Sequence, residues 1–326
     1  MEAESHQKPA RLLDQVHWVC QRRHYSRRTS QAYRYWAERL IRFHNRRHPR
    51  ELGRPELEAF LNSLSAAQLS ASSKRQAHNA LIFLYDAVLE APIPWLQDLE
   101  RAKQPKRLPN VLSVDQVARV FREMQGTERL MARLIYGSGL RISECVSLRV
   151  KDLQWDFGTI LVRGGKGEKD RATVLPSPLI PELRAQVASV AELHRRRVER
   201  GHGFAPLPAG LARKIGHGAR TLYWQFLFPS VVERYDAALT RWVRWHAAPT
   251  GLQRAFREAV LRADDVPHAT VHTLRHCFAT HLMACGTNMR EIQELMGHAS
   301  LETTMIYLHV GEIHQNVKTP LELLKG

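Results

Sequence analysis

The sequence predicts a mainly α-helical protein of two domains, the second of which carries a small β-hairpin. Three observations predict this. Apolar residues recur at helical spacing through the first hundred positions, a basic stretch holding Pro105 and Pro109 interrupts that texture, and two β-rich runs flank a Gly/Lys turn around Lys166. A chain of 326 residues has room for two cores, and 44% hydrophobic with 25% charged residues is a globular composition, not a disordered one.

The elements follow in order. In TSQAYRYWAERLIRF, Tyr33, Trp36, Ala37, Leu40 and Ile41 share one helical face, while Arg34, Arg39 and Arg42 point elsewhere. Pro55 opens PELEAFLNSL at a first-turn position, with Leu57, Phe60, Leu61 and Leu64 behind it. SSKRQAHNALIFLYDAVL repeats the design with Leu81, Leu84, Tyr85 and Val88, so residues 1–104 read as a small helical bundle. The Pro-containing segment 105–111 suits an extended linker. The second domain, 112–326, begins with Ser113 as a helix cap and a helix through Val120. Another helix follows, ending in the turn YGSGLRISE. TILVRGGKGEKDRATVLP is the hairpin, with Lys166 at its tip. From about 201 to 250 the chain becomes rich in Gly and Pro and holds Trp224, Trp242 and Trp245; so long a connection is functional or mobile.

Charge is the outlying property. With 48 Lys+Arg against 32 Asp+Glu the formal net charge is +16, which favours a polyanionic partner, nucleic acid before a membrane surface. Eleven arginines and only Glu38 and Glu51 as acids lie between Arg22 and Arg54, and the whole-chain excess favours a phosphate-tracking surface there. Lys74 and Arg75, on the next helix, are further candidate DNA contacts. No apolar run approaches the ~18–20 residues a membrane span needs, and MEAESHQKPARLL lacks a signal-peptide core, so a cytoplasmic protein without a membrane partner is expected. Cys20, Cys145, Cys277 and Cys285 form no CxxC pair and are expected to be reduced thiols.

The C-terminal region carries the chemistry. In HTLRHCFATHLMACG, His272 and Arg275 lie three apart beside an apolar stripe of Leu274, Phe278 and Leu282, so both can reach one ligand. Gly286 ends that helix, Asn288 with Glu291 caps the next, and Gly297 ends it just before His298. Ser300 can cap another short helix carrying Tyr307. A zinc site from His272, His276, His281 and Cys285 is disfavoured, because their spacings do not share one helical face and no acidic ligand accompanies them. Single residues here could be ordinary caps and surface basic groups. As a set, Arg141, Lys166, His272, Arg275, His298 and Tyr307 provide guanidiniums, a lysine, imidazoles and a phenol, an inventory for phosphoryl transfer without a metal.

The segments GLRISE, GGKGEKDR, HTLRHCFATHL, ELMGH and TTMIYLHV resemble the signature boxes of the tyrosine recombinase (phage integrase) family, in the family's order, from Leu112 to Tyr307. The basic N-terminal bundle resembles the family's SAM-like core-binding domain. The resemblance implies an α+β catalytic domain that closes with this bundle into a C-shaped clamp on DNA, and a tetramer on its recombination sites. It implies Tyr307 as nucleophile forming a 3′-phosphotyrosyl link, and Arg141 and Arg275 stabilising charge on the non-bridging oxygens. Lys166 would be the general acid, His272 a base or proton shuttle, and His298 a phosphate hydrogen-bond donor, with Glu144 supporting the geometry. No cofactor is implied. The tail TPLELLKG could close its own core or dock on a neighbouring subunit.

The stretch LARKIGHGARTLYWQFLFPS resembles that of integron integrases, in which an additional helical insert precedes the HTLRH box and helps engage folded single-stranded sites. Trp224, Trp242, Trp245 and His246 are then candidates to stack on extruded bases, with packing of the insert as the alternative. Also open are an Xer-like or phage-type recombinase acting on duplex sites, a type IB topoisomerase, and a DNA-binding relative that has lost catalysis.

Overall fold

A computed structural model describes residues 9–98, 110–163, 170–207, 211, 214–237 and 240–297. The chain divides into two compact units, Met1–Lys106 and Arg107–Gly326.

The first unit is helical: α1 (Leu12–Arg22), α2 (Arg27–Phe43), α3 (Arg54–Ala66), α4 (Ala71–Phe83), continued by a π-helical turn at Leu84–Val88, and α5 (Pro94–Asp98). Ser26 and Ser70 start α2 and α4 by accepting from backbone N–H groups one turn on. The stripes read from sequence meet in one core, where Trp36, Ala37, Leu40, Leu57, Phe60, Leu64, Leu81, Leu84, Tyr85 and Val88 are all buried. Arg22, Arg23, Arg27, Arg28, Arg34 and Arg42 remain exposed, and the α2 to α4 contact is closed by a hydrogen bond from Trp36 Nε1 to Gln76 Oε1. On α4, Arg75 is exposed and Lys74 reaches Ser65 Oγ.

The second unit packs α6 (Val114–Arg122), α7 (Gly126–Ser138), α8 (Ile142–Ser147), α9 (Ile180–Glu199), α10 (Pro249–Arg262), α11 (Val271–Ala284) and α12 (Met289–Met296) with two small sheets. Its core gathers α6, α7, α10 and α11 around Leu134, Leu252, Phe256 and Leu274. Ser113 caps α6 as expected, bonding the Gln116 N–H. Strands β1 (Leu153–Gln154), β2 (Thr159–Val162) and β3 (Arg171–Val174) form an antiparallel sheet in sequence order, so the predicted hairpin is present, with Ile160 opposite Thr173.

In the stretch expected to carry a helical insert, Leu211, Lys214 and Ile215 are α-helical, and a hairpin that was not expected follows them. The described part of 201–250 is built around a β-hairpin, β4 (Pro229–Asp236) with β5 (Arg241–His246), preceded by short 3-10 turns at Gly216–Arg220 and Leu222–Trp224. PSVVERYD and RWVRWH are rich in β-branched and aromatic residues, which suit a pleated, half-exposed surface better than a helix. Tyr235 faces Trp242 and Glu233 faces Arg244, while a bulge between Pro229 and Glu233 leaves the Ser230 and Val231 carbonyls to accept from Arg244 Nη1.

Candidate functional site

The site is assembled where helices end. Helix α7 stops at Gly139, whose left-handed φ of 64° costs glycine little, and a Cβ there would run into the ring of Phe278. Two residues later Arg141 is the N-cap of α8. Glu144, at the third position of that helix, accepts from the Arg141 backbone N–H at 2.8 Å and from its Nη1 at 2.7 Å. Arg171, the first residue of β3, closes on the same carboxylate with two bonds, Nη1 at 2.9 Å and Nη2 at 2.7 Å. Arg275 Nη1 stands 3.9 Å from Glu144 Oε2. Burial pushes the Glu144 carboxyl up, but the bonds from Arg171 and Arg141 outweigh it and hold the group at about 2.

Arg275, on α11, is only 2% exposed. Its Nη1 donates to the Gly139 carbonyl and its Nη2 to the Met296 carbonyl. Arg171 Nε donates to the neighbouring Leu295 carbonyl at 3.0 Å. Two guanidiniums thus satisfy carbonyls that α12 leaves open at its C-terminus, where Gly297 turns the chain at φ 61°. His272 lies one turn before Arg275 and is exposed at the surface. Desolvation, then the Arg275 and Arg141 charges, lower its pKa and favour a neutral imidazole able to accept a proton. Its ring meets that of His276 edge to face, centroids 4.6 Å apart, and burial holds His276 lower still, at about 4.

Of the six residues singled out as a set, Arg141, His272 and Arg275 are thereby brought together; Lys166, His298 and Tyr307 lie outside the described residues. His281 is engaged elsewhere, through Tyr136 Oη at 2.8 Å and the Leu112 carbonyl at 3.0 Å, and Cys285 is exposed. Among the described residues no group of three His, Cys, Asp or Glu is placed to hold a metal ion. Sequence reasoning did not single out Arg171. The available signal was its place in GGKGEKDR, opposite a hairpin partner strand whose buried positions, Ile160 and Val162, fix which face of β3 turns inward.

Beside this cluster lies a cavity of about 700 Å³, whose lining includes Glu144, Arg149, Lys151, Trp224, Phe226 and Trp245. Lys151 Nζ sits 3.1 Å from the centroid of Trp224, and the Arg149 guanidinium 4.2 Å from that of Phe226. Desolvation lowers the Arg149 pKa to about 10. Trp242 stacks on His202 and Trp245 leans on Phe226, yet these tryptophans remain 46% and 45% exposed. His246 packs edge to face on Phe226 and bonds the Ala247 carbonyl.

Residues 110–314 match the phage integrase family, and residues 12–95 match the phage integrase N-terminal SAM-like domain. An "Integrase/recombinase" from Escherichia coli is 42% identical over 319 residues, 97% of this chain and 95% of that protein. Tyrosine recombinase XerA from Pyrococcus furiosus is 32% identical over 219 residues, 66% of this chain and 63% of that protein. The fold is similar to that of a lambda integrase dimer bound to a core site, with TM-score 0.62, 15% identity, and coverage of 94% of this chain and 97% of that one. It is also similar to that of XerH recombinase bound to difH DNA, with TM-score 0.58, 22% identity, and coverage of 92% and 82%. With the family match spanning well over half of the sequence, the chain belongs to the phage integrase family of tyrosine recombinases, enzymes that cleave and rejoin DNA.

Proposed function

We propose that this recombinase inserts and excises gene cassettes at integron-type sites, acting on folded single strands as well as on duplex DNA. The observation that carries the reading is the insert. It sets the exposed ring of Trp245, with Trp224 under Lys151, beside a cavity that Glu144 also lines, and leaves the Trp242 ring exposed on the same hairpin. Aromatic faces next to cations accept unpaired bases without regard to sequence. In this reading residues 1–104 are the core-binding domain, 105–111 the linker and 112–326 the catalytic domain, which assemble as a tetramer on DNA in the bacterial cytoplasm. Lys74, Arg75 and the exposed arginines of α1 and α2 follow phosphates.

Tyr307 attacks the scissile phosphate, its phenol losing a proton as the new P–O bond forms, and the 5′-oxygen leaves with a proton from Lys166. Arg141 and Arg275 stabilise the charge that builds on the non-bridging oxygens, and His298 hydrogen-bonds the phosphate. A neutral His272 takes up a proton and returns it. The freed 5′-hydroxyl of a partner strand then loses its proton and attacks the phosphotyrosyl phosphorus, and the P–O bond to Tyr307 breaks to return a protonated phenol. The phosphotyrosyl bond stores the energy of the broken one, so no nucleotide is hydrolysed, and the cationic set does the work that a metal ion would.

Covalent trapping tests the reading. The protein is mixed with the folded strand of a cassette recombination site, its complement, and the duplex, and adducts are separated under denaturing conditions. A strong preference for one folded strand is expected. Adducts on duplex alone would replace the integron reading with an Xer-like or phage-type one. DNA binding with no adduct on any substrate would mark a relative that has lost catalysis.

A further inference from the structure

We propose that Arg171 is a positioning residue of the cleavage site, one that holds Arg141 and Arg275 in register through Glu144 and the end of α12. The inference rests on the recombinase reading above and concerns how its phosphate-binding arginines keep their geometry. Arg171 does not touch the reacting atoms in this scheme; it acts through the groups that do.

The side chain is 11% exposed and spends its donors on two segments far apart in sequence. Nη1 and Nη2 clasp both oxygens of Glu144, 27 positions earlier, and Nε reaches the Leu295 carbonyl, 124 positions later. Glu144 passes the constraint on: its Oε1 accepts from Arg141 Nη1, its Oε2 accepts from the Arg141 backbone N–H and lies 3.9 Å from Arg275. Helix α12 passes it on a second time, because Met296, next to Leu295, supplies the carbonyl that Arg275 grips. Contact also runs through Gly297, where a Cβ would come 2.7 Å from Arg171 Cδ, so the stem of Arg171 packs on the turn that precedes His298. One guanidinium therefore ties the strand that follows the Lys166 segment to the Arg141 turn and to the helix end before His298.

Only arginine can do this. A carboxylate clasped at both oxygens and a third donor aimed at a carbonyl require a planar fork, and a lysine ammonium at the same place makes a point contact. The charged groups facing Glu144 are Arg141, Arg171 and Arg275, with His272 next beyond two of them. Without Arg171, Glu144 would retain Arg141 as its bonded partner and take up a proton at higher pH.

The test uses the full-length protein and a folded recombination-site strand, with either an ordinary scissile phosphate or one whose 5′-bridging oxygen is replaced by sulfur. Single-turnover adduct formation, DNA affinity and the pH profile are read for the unaltered protein, Arg171→Lys, Arg171→Met, Glu144→Gln and the Arg171→Met/Glu144→Gln pair. Arg171→Lys is expected to bind DNA normally but to form adduct about 100-fold more slowly, the order of penalty for a small misplacement of catalytic groups. Its acid limb should move toward neutral pH. Sulfur should not restore the rate, since a thiolate leaving group bypasses only the general acid. The pair of substitutions should be no slower than the slower single variant, because both remove one device.

An adduct rate for Arg171→Lys equal to the unaltered protein's would overturn the inference, as would rescue by sulfur or multiplicative losses in the pair. Should Arg171→Met fail to fold, Arg171→Lys, which keeps the charge and most of the stem, carries the comparison. An unaltered protein that forms no adduct on this strand but does on its duplex would replace the integron reading and move the same comparison to duplex DNA, and one that forms none on either would mark a relative that has lost catalysis and sink this inference with it; a normal unaltered protein beside an unimpaired Arg171→Lys would sink the inference alone.

Discussion

Two carboxylates of the second unit sit among cations, and they differ in how completely their surroundings are matched. Glu144 accepts hydrogen bonds from the Arg141 backbone and from the guanidiniums of Arg141 and Arg171, and those guanidiniums come from two separate elements. Glu233, on the insert hairpin, is held by Arg197 and His202. Around it, however, Arg197 Nη2 and Arg244 Nε are buried with no hydrogen-bond partner among the described residues. A network whose members are all matched has one low-energy arrangement, whereas one with spare donors can re-pair. The arginine site is therefore the more rigid of the two and the insert the more adaptable.

The largest expected effect breaks the first cluster. Glu144→Ala would strand three guanidiniums around a cavity and should cost about 3–5 kcal/mol, measured by urea unfolding, as removal of one partner from a buried ion pair does. A loss below about 1 kcal/mol would mean that the cluster holds little of the fold together, as exposed pairs do. Next in size is the acid response. The Glu144 pKa falls from 4.5 to about 2 on folding, so its contribution is complete above about 4.5 and is lost as pH drops toward 2. That limb amounts to about 3 kcal/mol by linkage. Glu144→Gln should remove it from the pH dependence of stability, and an unchanged limb would assign the acid loss to other carboxylates.

Smaller effects belong to the insert. Glu233→Gln should cost about 1–3 kcal/mol, the usual toll for weakening a partly buried charged hydrogen bond, and should leave adduct formation on duplex DNA unchanged. A parallel loss of duplex cleavage would show that the two clusters are coupled. Trp245→Ala, at a ring 45% exposed that still packs on Phe226, should cost about 1 kcal/mol of stability. In a gel-shift titration it should weaken binding of the folded strand about tenfold, the lower end of one base-stacking contact, with the duplex unaffected. Equal weakening of both substrates would make Trp245 a general DNA contact.

Much of this was legible in the sequence because it is local. The apolar stripes of α2, α3, α4 and α11, the Ser113 cap and the stops at Gly139 and Gly297 rest on residues within a turn or two of each other. What sequence did not disclose depends on pairing at long range. On β3 the inward positions are Arg171 and Thr173, while Ala172 and Val174 face solvent, the reverse of an apolar-in reading. Thr173 turns inward because its hydroxyl bonds the Ser138 carbonyl, and Arg171 because Glu144 waits there. The hairpin of the insert was not foreseen from the family resemblance, although Val231, Val232, Tyr235, Trp242 and Val243 argue locally for strands. Trp224 was singled out as a stacking candidate, and the lysine over its ring, Lys151, lies 73 positions earlier.

If the matched arginine cluster serves a phosphotyrosyl transfer, the covalent adduct must form through Tyr307. The unaltered protein and Tyr307→Phe are incubated with the same radiolabelled recombination-site strand, and covalent adduct is quantified beside DNA affinity. Adduct from the unaltered protein, none from Tyr307→Phe, and equal affinity for both is the predicted result. Equal adduct from both proteins would contradict the assignment of the nucleophile and the chemistry built on it.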